Sequence, residues 1–200
     1  MKKFELTSEF VTFLGKTLFR IKALVSFGDV AEGELGGFIE RENNLDQSGD
    51  AWVYGNARVS GDARVCGDAK VFGNAWVSGD ARVSGDARVS GDARVCGNAW
   101  VSGDARVCGD ARVFGNAWVS GDARVQNCRD YSATSCFGSE NRTTTFFRTK
   151  DGGISVRCGC FYGTLREFRE KVKERHGDSR LAKEYLMLAD LMEFRLSKDE

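Results

Sequence analysis

The chain has 200 residues, with 29 Lys+Arg and 29 Asp+Glu, so its formal net charge is zero. Balanced charge argues against a general nucleic-acid binder or a membrane-surface binder, which carry a clear basic excess, and equally against an acidic mimic of nucleic acid. Twenty-four glycines without one proline point to regular turns, not to a disordered tract. Seven cysteines is an odd number, no charged–apolar–small leader opens the chain, and every apolar run falls short of a membrane span. A reducing, cytoplasmic setting with free thiols is expected, with no membrane partner.

Residues 1–26 read as a β cap. KFELTSEFVTFLGKTLFRIKALVSF carries β-rich apolar segments on either side of Gly15-Lys16. Such a hairpin would cover one end of the repeat body that begins at residue 27 and hide an edge prone to aggregation. Gly15-Lys16-Thr17 has the ending of a phosphate loop. That motif needs Gly five residues before Gly15, where Phe10 stands, so no phosphate loop is read.

Residues 27–126 form that repeat body. From Gly49 to Gln126 the frame Gly-(Asp/Asn)-Ala-x-Val-x recurs thirteen times without a slip. Ala and Val stand two apart, so on a strand both point the same way and the residue between them points out. That residue is Arg, Lys or Trp in every copy. Gly-Asp or Gly-Asn supplies a corner. A short strand plus a turn buries nothing alone, but stacked copies pair above and below. In FGDVAEGELGGFIERENNLDQ the same frame gives a first, imperfect coil, with Gly33, Leu35 and Ile39 inward and Arg41 and Gln47 where Val should be.

Read as Val-x-Gly-(Asp/Asn)-Ala-x, the pattern resembles the hexapeptide repeat of left-handed parallel β-helices. There an aliphatic residue and a small residue four later fill the core, as Val53 with Ala57 and Val59 with Ala63 would here. One departure is that the family often has Gly directly after the aliphatic residue, and here it comes one later. The resemblance implies the left hand of the coil, three hexads per triangular turn, and about 4.8 Å of height per coil. The run GELGGFIERENNL followed by GDAWVYGNARV also resembles hexapeptide-repeat proteins of phages and prophages. An 18-residue coil would stack three outward columns: Trp52, Lys70, Arg88, Arg106, Arg124; then Arg58, Trp76, Arg94, Arg112; then Arg64, Arg82, Trp100, Trp118.

The first column is a nearly pure basic ladder that would suit phosphates or an acidic partner. The repeat nevertheless holds nine Asp against nine Arg/Lys. Three of the four Trp follow Asn instead of Asp (74/76, 98/100, 116/118). This coupling favours Asp and Arg neutralising each other locally along the coil, although copying of whole units would mimic it. Large outward aromatics favour a contact surface, and the resemblance implies contact with further copies, in a trimer or dimer. Cross-strand stacking of exposed rings with no partner is the competing reading. The candidate binding surface is therefore Trp52, Trp76, Trp100, Trp118, Arg88, Arg106 and Arg124.

Beyond Gln126, residues 127–143 read as a linker or irregular cover, and 144–200 as a small ββαα unit. TTTFFRTKDGGISVRCGCFYG predicts two strands around Asp151-Gly152. Thr164-Leu165-Arg166-Glu167 is a capping box opening a helix with Leu165, Phe168 and Val172 on its apolar side, ending near His176-Gly177. Asp178 or Ser179 opens a second helix with the stripe Leu181, Tyr185, Leu188, Met192. The fold class is thus mainly β, a left-handed parallel β-helix with a hairpin cap and an α+β tail.

Catalytic residues are not found. The resemblance implies a coil histidine as base in acyltransferases, or several histidines on a metal in one class of carbonic anhydrase. This chain has one histidine, His176, outside the repeat. Cys128, Cys136, Cys158 and Cys160 are weak candidates for a zinc site, because their spacing is not a knuckle and Ile154, Val156, Cys158 and Cys160 would share one strand face. Cys66, Cys96 and Cys108 read as corner fillers. The expectation is a non-enzymatic, cofactor-free scaffold that binds a bacterial protein, with inhibition of a host system as the task the phage resemblance suggests. The alternatives are an oligomer that sequesters a nucleotide between faces lined by Arg88 and Arg106, and an atypical acyltransferase lacking an evident base.

Overall fold

A computed structural model describes residues 2–197. Residue 1 and residues 198–200, which the expected cap and C-terminal unit include, lie outside the described residues. The architecture is mainly β: a parallel β-solenoid, an N-terminal antiparallel hairpin, and a C-terminal sheet with two α-helices.

Each hexad contributes one two-residue rung, from Trp52–Val53 to Arg124–Val125. Rungs eighteen residues apart pair in parallel. Trp52, Lys70, Arg88, Arg106 and Arg124 stack on the first face. Arg58, Trp76, Arg94 and Arg112 stack on the second. Arg64, Arg82, Trp100 and Trp118 stack on the third. The register is the one the hexad spacing predicts. Every Ala from Ala51 to Ala123 and every Val from Val53 to Val125 is fully buried, filling the interior with small side chains. The backbone is satisfied coil to coil, as where Arg88 N donates to Ala105 O and Ser90 N to Val107 O, both at 2.9 Å. The corners need glycine twice over. Gly85 has φ +65°, and a Cβ on it would lie 3.1 Å from the amide nitrogen of Gly103 in the next coil.

The first coil exists, but its frame differs from the expected one. Ile39 pairs with Val59 and Leu45 with Val65. Core positions therefore fall at 39, 45, 53 and 59, with two extra residues at the corner between Leu45 and Val53. Leu35 is 51% exposed and Gly33 is exposed, so neither points inward. Ile39 is inward as expected, and Arg41 and Gln47 escape the core because the slip places Ile39 and Leu45 at the Val positions. Gly37 takes the alanine place, since a Cβ there would meet Ala57 O at 2.6 Å. Asn44 substitutes for missing rung amides by donating from Nδ2 to Gly61 O and Ala63 O. Lys3, buried, donates from Nζ to Gly49 O and Ala51 O at the widened corner.

Strand β1 (Phe4–Phe13) and strand β2 (Lys16–Ala23) form the hairpin, turning at Leu14 and Gly15, both with positive φ. Strand β2 pairs antiparallel with β3 (Leu35–Ile39), and β3 pairs parallel with the Arg58–Val59 rung. The hairpin thus prolongs the second face and replaces its open edge by that of β1.

At the other end stand β4 (Tyr131–Phe137), β5 (Arg142–Arg148), β6 (Ile154–Cys158) and β7 (Phe161–Thr164), in that order in one antiparallel sheet. Helices α1 (Leu165–His176) and α2 (Arg180–Leu196) complete the unit. The stretch 127–143, expected as linker or irregular cover, contains strand β4, and the second expected strand is split at Gly159 into β6 and β7, so the tail has four strands where two were expected. YSATSCF hides its strand character because its Ser and Thr serve a half-exposed edge, while β5 supplies the pairing. The strand period of two divides neighbouring phenylalanines between two cores. Phe147 enters the solenoid core with Tyr131, whereas Phe146 packs edge-on to Phe168 beneath the helices. Tyr131 donates its hydroxyl to Arg112 O, and burial pushes its pKa up to about 12. Thr164 accepts from Glu167 N while Glu167 accepts from Thr164 N, the capping box in place. Leu165, Phe168 and Val172 are buried as the apolar pattern predicts.

Candidate interaction face

The three columns differ in what covers them. On the first, Trp52 is wholly buried, edge-on to Phe4 at 6.2 Å and Phe27 at 5.4 Å. It points away from the coil axis, but the N-terminal segments lie over it, so it leaves the candidate surface. Arg124 leaves it too. Its guanidinium donates to the carbonyls of Asp104, Asp122 and Ala123 and to the Asp104 carboxylate at 2.9 Å, so it clamps the last coil. That hydrogen bond holds the Asp104 carboxyl below its usual pKa. Lys70 is held by Asp29 at 2.6 Å. Only Arg88 and Arg106 remain as exposed, unpaired cations of the first column among the described residues.

The second column is covered at its N-terminal end. Phe13, at the hairpin tip, lies 4.4 Å from the Arg58 guanidinium and packs edge-on to Trp76 at 5.2 Å. Arg94 and Arg112 are exposed further along.

The third column is open over more of its length. Arg64 and Arg82 are exposed, and Trp100 and Trp118 are half-buried. The two indoles stack with centroids 4.5 Å apart and planes 6° from parallel. Arg157 of β6 lies 3.5 Å from the Trp118 ring centroid and closes that end of the stack. Beside the column runs a groove of about 520 Å³, lined by Arg64, Arg82, Ser84 and Trp100 and, from the first coil, Glu42 and Asp46.

Two parts of this geometry are absent from the sequence expectation. The tryptophans do not protrude. Trp76, Trp100 and Trp118 lie along the sheet, each donating Nε1–H to the serine sixteen residues back: Ser60, Ser84 and Ser102, at 3.0–3.2 Å. Trp52 has Gly36 at that spacing, and its buried Nε1 has no partner. The serines carry a readable signal, since Ser stands sixteen residues before three of the four Trp. Among the described residues of the thirteen regular hexads, local Asp–Arg neutralisation is realised only by Asp104–Arg124, while Asp62 pairs with Arg41 of the first coil. The corner side chains instead bond along their own ladder: Asn74 Nδ2 donates to Asp92 Oδ1, and Asn98 Nδ2 to Asn116 Oδ1. An Asn gives that ladder a donor, but the corner column Asp50, Asp68, Asp86, Asp104 and Asp122 is carboxylate throughout, so the ladder alone does not account for where Asn stands.

The thiols do not assemble. Among the described residues no three His, Cys, Asp or Glu side chains come together as a metal site. Cys128, Cys136 and Cys160 are exposed free thiols, and Cys158 accepts from the Thr144 hydroxyl. Strand β6 ends at Cys158, and Gly159 (φ +58°) turns the chain, so Cys160 does not share the strand face expected for it. Cys66, Cys96 and Cys108 are half-buried at coil corners, and burial raises their pKa. His176 closes α1 and stacks on Tyr185 at 5.7 Å. Among the described residues no helix is long and apolar enough to cross a membrane.

Fold and faces together define a hexapeptide-repeat-like β-solenoid with exposed Arg and half-buried Trp over residues 51–125. The family model described as the YdcK beta solenoid repeat matches the chain in six stretches, residues 51–67, 63–79, 75–91, 81–97, 87–103 and 105–121. Comparison with curated proteins finds no match.

Proposed function

We propose that the protein is a non-enzymatic scaffold that binds a protein partner through the third solenoid face. The observation that carries this is the open stretch Arg64–Arg82–Trp100, with unpaired cations and the Trp100 indole backed by Trp118, beside a groove of mixed charge. Arg and Trp are the residue types enriched where interfaces concentrate their energy. The indole N–H groups are already satisfied internally, so a partner meets the ring edges at no cost in buried donors. In line with the resemblance to the hexapeptide repeat of left-handed parallel β-helices, the coil is taken as left-handed. In line with that to phage hexapeptide-repeat proteins, the partner is taken as a bacterial cytoplasmic protein whose activity binding would inhibit, and the same face would serve self-association in a dimer or trimer.

The test is the Trp100→Ser/Trp118→Ser variant, measured by light scattering and by capture of a partner from bacterial lysate with mass spectrometry. Loss of the higher mass or of the captured protein, with the thermal unfolding profile retained, is the expected result. Unchanged mass and unchanged capture would reject the face.

A second reading rests on Arg88 and Arg106, exposed and unpaired in adjacent coils. Facing the same pair in another copy, they would hold the phosphates of a sequestered nucleotide. Nucleotide binding would raise the melting temperature with ligand concentration, and an Arg88→Ala/Arg106→Ala variant would lose that rise.

A further inference from the structure

The C-terminal unit contains a cavity of about 330 Å³ between β5, the β6–β7 turn and the two helices. Its floor is aromatic, with Phe161, Phe168 and Tyr185 packed in one cluster and Phe168 edge-on to Tyr185 at 5.8 Å. Its rim is cationic, with Arg142 from β5 and Lys171 and Arg175 from α1. Basic residues in the last turn of a helix complement the helix dipole, which alone would explain Arg175. It does not explain Arg142, which reaches the same rim from a strand. Glu140 is the one carboxylate on the lining, and it stands 3.7 Å from Arg142, beyond hydrogen-bond distance. Lys171 is paired with Glu174, but both side chains are more than half exposed, so the pair is weak and exchangeable. Arg175 makes no ion pair among the described residues. The rings belong to the core of the unit, but packing them does not require three cations from two elements at the mouth of the pit.

We infer that this cavity binds a compact aromatic anion, its ring seated on Phe161, Phe168 and Tyr185 and its carboxylate or equivalent group held by Arg142 and Arg175. The volume lies at the lower end for small-molecule sites and suits one or two fused rings. The site is separate from the solenoid face and stands or falls apart from it.

The test uses the full chain, with 2-naphthoate and its neutral isostere 2-naphthamide titrated against amide resonances. Naphthoate is expected to shift signals of residues 158–176 saturably, with roughly tenfold or more higher affinity than naphthamide, the scale of charge-assisted hydrogen bonds. Arg142→Ala/Arg175→Ala, with a dispersed spectrum to show that it is folded, is expected to erase the preference for the acid while still binding the amide. Arg88→Ala/Arg106→Ala is expected to keep the wild-type preference. No saturable shift with either probe, shifts mapping to the coils, or equal affinities for acid and amide in the wild-type chain would overturn the inference.

Discussion

Phe146 and Phe147 are neighbours on one strand, both fully buried, yet they belong to different cores. Each ring removes on the order of 150–200 Å² from water, which at ~25 cal/mol per Å² is roughly 4–5 kcal/mol. Truncation to alanine keeps the Cβ but leaves a cavity, so each variant is expected to cost about 3–5 kcal/mol in global stability. The two losses are similar in size and differ in place. In Phe147→Ala, native-state hydrogen exchange should rise at the bonds that involve the last coil: Trp118 N, which donates to Thr145 Oγ1 of the same strand as Phe147, and the amides of Arg106 and Cys108, which donate to Ala123 O and Val125 O. In Phe146→Ala it should rise in α1 and α2 and leave the coil protected. The same exchange map for both variants, or the amides of Trp118, Arg106 and Cys108 still fully protected in Phe147→Ala, would refute the division of the strand between the two cores.

Gly85→Ala should destabilise by about 2–4 kcal/mol in denaturant unfolding, combining positive φ with a Cβ pressed on the Gly103 backbone; a change below about 0.5 kcal/mol would contradict the corner geometry. The Glu40 carboxyl is held below its ordinary 4.5, first by its hydrogen bond from Lys16, with that from Gly61 N adding to it against some desolvation. The folded state therefore binds its proton later than the unfolded state, so the contribution is full above pH 4.5 and lost as pH falls through the folded value. Glu40→Gln should flatten that acid limb by less than about 1 kcal/mol, since the pair is partly solvated. Iodoacetamide at neutral pH should modify Cys128, Cys136 and Cys160 well before Cys66, Cys96 and Cys108, whose burial raises their pKa and disfavours the thiolate; equal rates by mass spectrometry would contradict the corner burial.

The coil was legible because thirteen identical frames fix which side chains face inward and which stack eighteen residues apart. The same regularity explains the miss in the first coil. Extrapolating the frame backwards from Gly49 cannot detect two extra residues at one corner, and it assigns Gly33 and Leu35 inward beside Ile39, where Ile39 and Leu45 fill the core. Both helices carried local signals, α1 in the Thr164–Glu167 box and the Leu165, Phe168, Val172 spacing, α2 in the Ser179 cap and the Tyr185, Leu188, Met192 stripe. Strand β4 carried none, because a solvated edge strand rich in Ser and Thr resembles a loop until its partner is known. The candidate face was half legible. The columns follow from the period, but which column is covered depends on contacts over long separations in sequence: Phe4 and Phe27 over Trp52, Phe13 over Trp76, and Arg157 over Trp118.

Three single charge reversals separate the faces: Arg88→Glu on the first, Arg94→Glu on the second and Arg82→Glu on the third. Affinity for the captured partner, measured by surface plasmon resonance, should fall at least about tenfold only for Arg82→Glu. Equal losses on all three faces, or a loss confined to Arg88→Glu or Arg94→Glu, would contradict a partner seated on the Arg82–Trp100 column.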